Sequence, residues 1–161
     1  MTISQDIQYL SAGVPELENY LLSKELYYPI GGSLPQLTLG GILLSLARAG
    51  TDAAKFERSV EATRSKWRTA WEAKVEREAR ARGELWMNYL AEYREDRGSA
   101  ARLYAQNVRY RAMLSLLGQA IHNSDPYLRG NFKEGKFVWE EECAPNFSRQ
   151  IFWYLFGSIQ E

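Results

Sequence analysis

The sequence predicts a mainly α protein: an elongated helical bundle built on a long antiparallel helix pair, with a small C-terminal β-hairpin and a terminal helix. Three observations predict it. A charged stretch from residue 53 to about 96 holds its apolar residues in one helical phase. A following stretch spaces its apolar residues alternately four and three apart. The last part of the chain carries aromatic-bearing arms about a Glu134-Gly135 turn and then the unbroken run IFWYLF.

At 161 residues the chain fits one domain, 1–161, able to bury a core without metal or disulfide staples. Three segments organise it: a helical layer over 1–50, a long helical hairpin over 51–123, and a hairpin plus terminal helix over 124–161. In the first segment Ser4 can cap a short helix that ends at Ala12-Gly13-Val14-Pro15, and Pro15 suits the first position of a second helix. Pro29, Gly31 and Gly32 then mark a turn region. Ser33-Leu34-Pro35-Gln36 reads as a capping box opening the apolar helix LTLGGILLSLARAG, with Gly50 as its stop. Gly40 and Gly41 each cost that helix roughly 1 kcal/mol relative to Ala, so another backbone is expected to approach closely there.

Thr51 or Asp52 can cap the long charged helix. Phe56, Val60, Trp67, Trp71, Val75, Leu85, Trp86, Tyr89 and Tyr93 fall within an arc of about 120° when projected at about 100° per residue, and the phase holds at Gly83. One continuous helix is therefore expected, with a kink at Gly83 as the alternative; uninterrupted it would be roughly 66 Å long, longer than a compact chain of this mass is wide, about 40 Å. Gly98-Ser99 reads as the turn, and Ser99 as the cap of a last long helix to His122 on which Leu103, Asn107, Tyr110, Leu114, Leu117 and Ile121 form the packing seam. Pro145 opens the terminal helix.

Composition excludes several classes. The 20 basic residues equal the 20 acidic ones, and the surplus of four positive charges over 51–111 falls short of a typical nucleic-acid binder. The six-residue terminal run is too short to span a bilayer, which takes about 20 residues, so no membrane association is expected. The lone Cys143 forms no internal disulfide, and the start MTISQDIQYLSAG lacks a signal-peptide pattern, so the expected compartment is the cytoplasm.

The chemical candidates are weak ones. His122, Ser124 and Asp125 hold the residue types of a hydrolytic triad, but adjacency in sequence argues against that geometry, and a helix end followed by a turn explains them. Glu140, Glu141 and Glu142 raise the pKa expected of Cys143 and do not converge on one cation, so neither a thiol nucleophile, a metal nor a cofactor is expected. The stretch Arg64 to Arg82 mixes seven basic residues with two tryptophans. Glu76/Arg80 and Glu78/Arg82, however, are the acid-first i,i+4 pairs of a solvated helix face.

The leading function class is thus a non-catalytic protein–protein interaction or assembly subunit using exposed aromatic surface, with a protein partner or a second copy bound through Phe152, Trp153 and Phe156. On a helix the terminal run covers the whole circumference, more than one domain face hides. The alternative is a nucleic-acid-binding accessory protein using Arg58, Lys66, Arg77 and Arg80. A second alternative is a small-molecule binder or enzyme with a pocket near Gly40-Gly41.

Overall fold

The computed structural model describes residues 2–118, 137–140, 144 and 146–159. The expected seam residue Ile121, the His122/Ser124/Asp125 cluster, the Glu134-Gly135 turn, Glu141, Glu142, Cys143 and Pro145 lie outside the described residues. The chain forms two compact units, Met1–Ala79 and Arg80–Glu161. Mainly α architecture with a small two-stranded antiparallel C-terminal element is what both the sequence and the structure give.

In the first unit, helix α1 (Ile3–Gly13) starts one residue pair earlier than the Ser4 cap would place it. Thr2 is the cap: its hydroxyl accepts from the Gln5 amide at 3.2 Å while the Gln5 side chain accepts from the Thr2 amide at 2.7 Å. A 3-10 turn over Val14–Glu16, carrying Pro15, leads into α2 (Leu17–Leu22). The connection beyond it reverses at Gly31 and Gly32, both at positive φ, and Tyr28 and Leu37 pair as an isolated antiparallel bridge.

Helix α3 (Leu39–Ala49) is not opened by a Ser33–Gln36 capping box. Its cap is Thr38, whose hydroxyl accepts from the Gly41 amide at 2.9 Å, and residues 33–36 remain in the connection because Leu37 is drawn into the bridge with Tyr28. Gly50, at φ 59°, ends the helix as expected. What crowds Gly41 is a side chain, not a backbone: a methyl group there would meet the Tyr9 hydroxyl at 2.5 Å. Helices α1 and α3 are clamped by Asp6, fully buried, which accepts from Ser45 Oγ at 3.0 Å and from Arg48 Nη2 and Nε at 2.9 and 3.2 Å.

The long charged stretch begins with a 3-10 turn, Gly50–Ala53, and α4 (Ala54–Lys66) starts without a side-chain cap from Thr51 or Asp52. The expected single helix is broken at Trp67, where ψ turns to 44°, although the Trp67 and Trp71 amides keep their i−4 acceptors at 2.9 and 2.8 Å. Helix α5 (Arg68–Glu95) then runs through Gly83 without interruption, as the apolar phase implied. Its 28 residues make it the longest of the described helices, about 42 Å at 1.5 Å per residue. Val60 and Trp71 are buried, and Trp67 is half-buried at the break.

In the second unit the reversal is tighter than a Gly98-Ser99 turn. Asp96 alone separates α5 from α6 (Arg97–Arg102), and its carboxylate caps α6 by accepting from the Ser99 amide at 3.2 Å. These bonds from Ser99 hold the Asp96 carboxyl below its ordinary pKa. Chain reversal is antiparallel, since Tyr89 donates to the Ala100 carbonyl at 2.8 Å while Arg82 lies over the Tyr110 ring. The last long helix is split at Leu103, and α7 (Tyr104–Leu116) follows. That break shifts the seam by one residue at its start. Leu103 is exposed, whereas Tyr104 and Val108 are buried, and the expected positions resume at Leu114 and Leu117. Trp86, Tyr89, Leu90 and Tyr93 form the buried face of α5 in this unit, and Leu85 is exposed.

Gly83 sits mid-helix with nothing within 4 Å of where a methyl group would be. Gly83→Ala is therefore expected to stabilise the protein by about 1 kcal/mol, a rise of about 2–4 °C in thermal midpoint. Gly41→Ala, facing the Tyr9 hydroxyl, is expected to lose about 1–3 kcal/mol in the same melting experiment.

Candidate functional site

Two regions carry the residues singled out from the sequence. The first is the C-terminal aromatic ribbon of the second unit. Strand β1 (Phe137–Trp139) pairs antiparallel with β2 (Gly157–Ile159) in the register Phe137↔Ile159, Val138↔Ser158 and Trp139↔Gly157, and Glu140 adds a backbone bond to Phe156 at 2.8 Å. The expected Glu134-Gly135 turn lies outside the described residues, and the strand Phe137–Trp139 is paired with Gly157–Ile159.

The terminal run is not an α-helix. It is a bend, a single 3-10 turn over Trp153–Leu155, and then β2. Six aromatic and branched residues closed by Gly157 form a poor and very short helix, too few to offset the cost of nucleation, while pairing with β1 satisfies the backbone directly. Gly157 is required by that pairing, because a side chain there would collide with the Val138 carbonyl and lie 2.6 Å from the Phe137 ring.

Folding the run this way sorts its residues. Trp153, Tyr154 and Phe156 are buried, Phe152 and Leu155 are half-buried, and Ile151 is 63% exposed. Of the three expected partner-binding residues, Trp153 and Phe156 therefore serve the interior of the second unit. Phe152 packs edge-on against Phe147 at 5.0 Å and Tyr154 at 6.2 Å. The ribbon is anchored to α7 by Tyr104, whose hydroxyl donates to the Tyr154 carbonyl at 2.6 Å. Below it the Tyr154 hydroxyl meets Ser115 Oγ at 3.2 Å, Arg111 donates to the same Ser115 oxygen, and the Arg111 guanidinium lies over the Tyr154 ring.

The exposed part of the ribbon escaped the sequence reading. Trp139 is 39% exposed, stands edge-on to Phe137 at 4.8 Å and tilted to Trp153 at 6.1 Å, and carries the Arg149 guanidinium 5.1 Å above its ring. Val138, on the same strand, is also exposed. The signal in the sequence is the run Phe137, Val138 and Trp139, which marks a hairpin arm without showing which of its residues stay exposed.

The second region is the charged face of α4 and the first half of α5. Arg58, Lys66 and Arg77 are exposed in the first unit, and Arg80 is exposed in the second. Lys66 lies 3.6 Å from Glu18, and Arg77 donates to the Lys24 carbonyl at 3.0 Å. A shallow cavity of about 170 Å³ beside the Trp67 break is lined by Glu61, Arg64, Ser65, Arg68, Trp71 and Glu72. Trp71 is buried with Arg64 5.3 Å from its ring, and Trp67 is half-buried with Lys66 5.4 Å from its ring. The expected solvated pair Glu78/Arg82 is corrected: Glu78 is fully buried, and its carboxylate accepts from the Gly40 amide at 2.8 Å. Tyr9 and Glu78 thus occupy the space beside Gly40-Gly41 where a ligand pocket was expected.

Among the described residues no group of three or more His, Cys, Asp or Glu side chains is placed to hold a metal ion, and no described helix is long and apolar enough to cross a membrane.

Burial raises the pKa values of Tyr89, Tyr93 and Tyr104 above the ordinary 10.0, with desolvation the largest cause in each. A folded pKa above the unfolded value gives a stabilisation that is complete below pH 10 and is lost as pH rises past it. In an alkaline titration these three tyrosines are expected to ionise only together with loss of helicity, giving a delayed, cooperative step in tyrosinate absorbance that coincides with the circular dichroism change. No family model, curated protein or solved structure matches the chain.

Proposed function

We propose that the protein is a non-catalytic interaction or assembly subunit of the cytoplasm that binds a protein partner, or a second copy of itself, through the exposed side of its C-terminal ribbon. The observation that carries this reading is Trp139, a large aromatic left 39% exposed beside buried Trp153. Aromatic side chains with a buried base and an open face are favoured interface anchors, because little side-chain entropy is left to lose on binding. Ile151 supplies further exposed apolar area, while Val138, next to Trp139 on the strand, is exposed on the opposite face of the ribbon. The single cysteine accords with a reducing compartment.

The nucleic-acid reading through Arg58, Lys66, Arg77 and Arg80 is less well supported. Its face mixes acids with bases, and cations already cover the two tryptophans that would stack on bases. A pocket-based activity near Gly40-Gly41 is disfavoured by the side chains that fill that space.

The test compares surface and interior positions. Trp139→Ala and Ile151→Glu are expected to stay folded by circular dichroism while losing self-association in analytical ultracentrifugation or a partner in an affinity pull-down from the native source. Trp153→Glu and Phe156→Glu are expected to unfold the second unit, since an unpaired buried charge is severely destabilising. If Trp139→Ala and Ile151→Glu keep every association of the parent protein, the interface reading fails; salt-sensitive recovery of nucleic acid would favour the alternative.

A further inference from the structure

Lys74, on α5, is a lysine buried to 3% exposure. An ammonium group has three N–H donors, and three acceptors surround this one. Its Nζ donates to the Ser23 carbonyl at 2.9 Å and to the Glu25 carbonyl, and Ser23 Oγ lies at 3.5 Å. The Tyr20 ring closes the remaining side, 4.5 Å from Nζ, and Tyr20 is itself fixed by its hydroxyl bond to the Leu26 carbonyl at 2.8 Å. All the receiving groups come from one continuous segment, residues 20–26, at the end of α2. Carbonyls and a hydroxyl on one side and an aromatic face on the other are the recognition elements of a site for organic ammonium ions.

We infer that residues 20–26 form a primary-ammonium receptor whose ligand is supplied by the chain itself, the Lys74 side chain, so that α5 docks on the end of α2 as a tethered ligand. The site selects three directed N–H donors on a small cation. A guanidinium spreads its donors in one plane, and a quaternary ammonium has charge without donors. Arg77, which donates to the Lys24 carbonyl at 3.0 Å, and Glu25 are the nearest charged groups that act on Lys74. Desolvation by burial, followed by Arg77, lowers the Lys74 pKa, so the receptor's dipoles do not fully replace the water the ammonium has lost.

The test is chemical rescue. Lys74→Ala removes three methylenes and the ammonium, the atoms of n-propylammonium, and leaves the receptor vacant. The thermal midpoint of Lys74→Ala is expected to rise saturably with millimolar n-propylammonium, measured against sodium chloride of equal ionic strength. Propyltrimethylammonium, with the same charge and no N–H donors, is expected to give no rise, and the parent protein is expected to respond to neither. If Lys74→Ala is unfolded alone, recovery of helicity with n-propylammonium supports the receptor equally. An absence of any amine-dependent rise or refolding overturns it, as does an equal response in the parent protein or to propyltrimethylammonium.

Discussion

The first unit depends on two buried charges one helical turn apart on α5. Lys74 answers the carbonyls at the end of α2, and Glu78 answers the Gly40 amide in the first turn of α3. Each charge meets the backbone end of opposite polarity, a cation at a helix C-terminus and an anion at a helix N-terminus. Burying either charge without these partners would cost several kcal/mol, so neither α5 nor the connection between α2 and α3 can take this position alone. The bidentate Asp6–Arg48 clamp applies the same logic to α1 and α3. These directed polar contacts lie alongside an apolar core that includes Leu10, Leu17, Leu39 and Ile42.

Hydrophobic periodicity finds helices well because each core-facing residue adds to the same signal. That is why α1, α3 and the stretch holding α4 and α5 were legible, and why Gly83 could be read through. Periodicity is blind to a break that preserves phase. At Trp67 the flanking i−4 bonds survive, so Phe56, Val60 and Trp71 stay in register and the sequence shows no interruption. At Leu103 the slip is a single residue, hidden because Leu103 and Tyr104 are both large and apolar. Caps were misplaced for a related reason. Thr2, Thr38 and Asp96 compete with nearby Ser4, Ser33 and Ser99, which are equally suitable chemically, and only tertiary context decides which hydroxyl or carboxylate meets an amide.

Charge on a helix was harder still. Lys74 and Glu78 share the α5 face that carries Trp71 and Val75, yet a reading based on polarity assigns them to solvent. The backbone groups that make their burial tolerable lie 38 to 51 residues away in sequence, beyond any local pattern. The C-terminal run shows the converse failure. Its composition gave away that part of it is core, but a helical wheel cannot sort residues that are not helical. Once Gly157–Ile159 pairs with Phe137–Trp139, burial is decided by strand register and the Tyr104 anchor.

The five tryptophans then separate by what covers them. Trp86 is enclosed and stacked on Tyr89, Trp153 is held within the ribbon, and Trp71 and Trp67 lie beneath Arg64 and Lys66. Trp139 is the most exposed of them. Trp139 keeps 39% of its surface exposed, with the Arg149 guanidinium 5.1 Å from its ring centroid. Its inner side packs against Phe137 and Trp153 at the base of the ribbon. Burial thus divides the aromatic end of the sequence into two groups. Trp153, Tyr154 and Phe156 are buried in the second unit, while Trp139 and Ile151 are exposed.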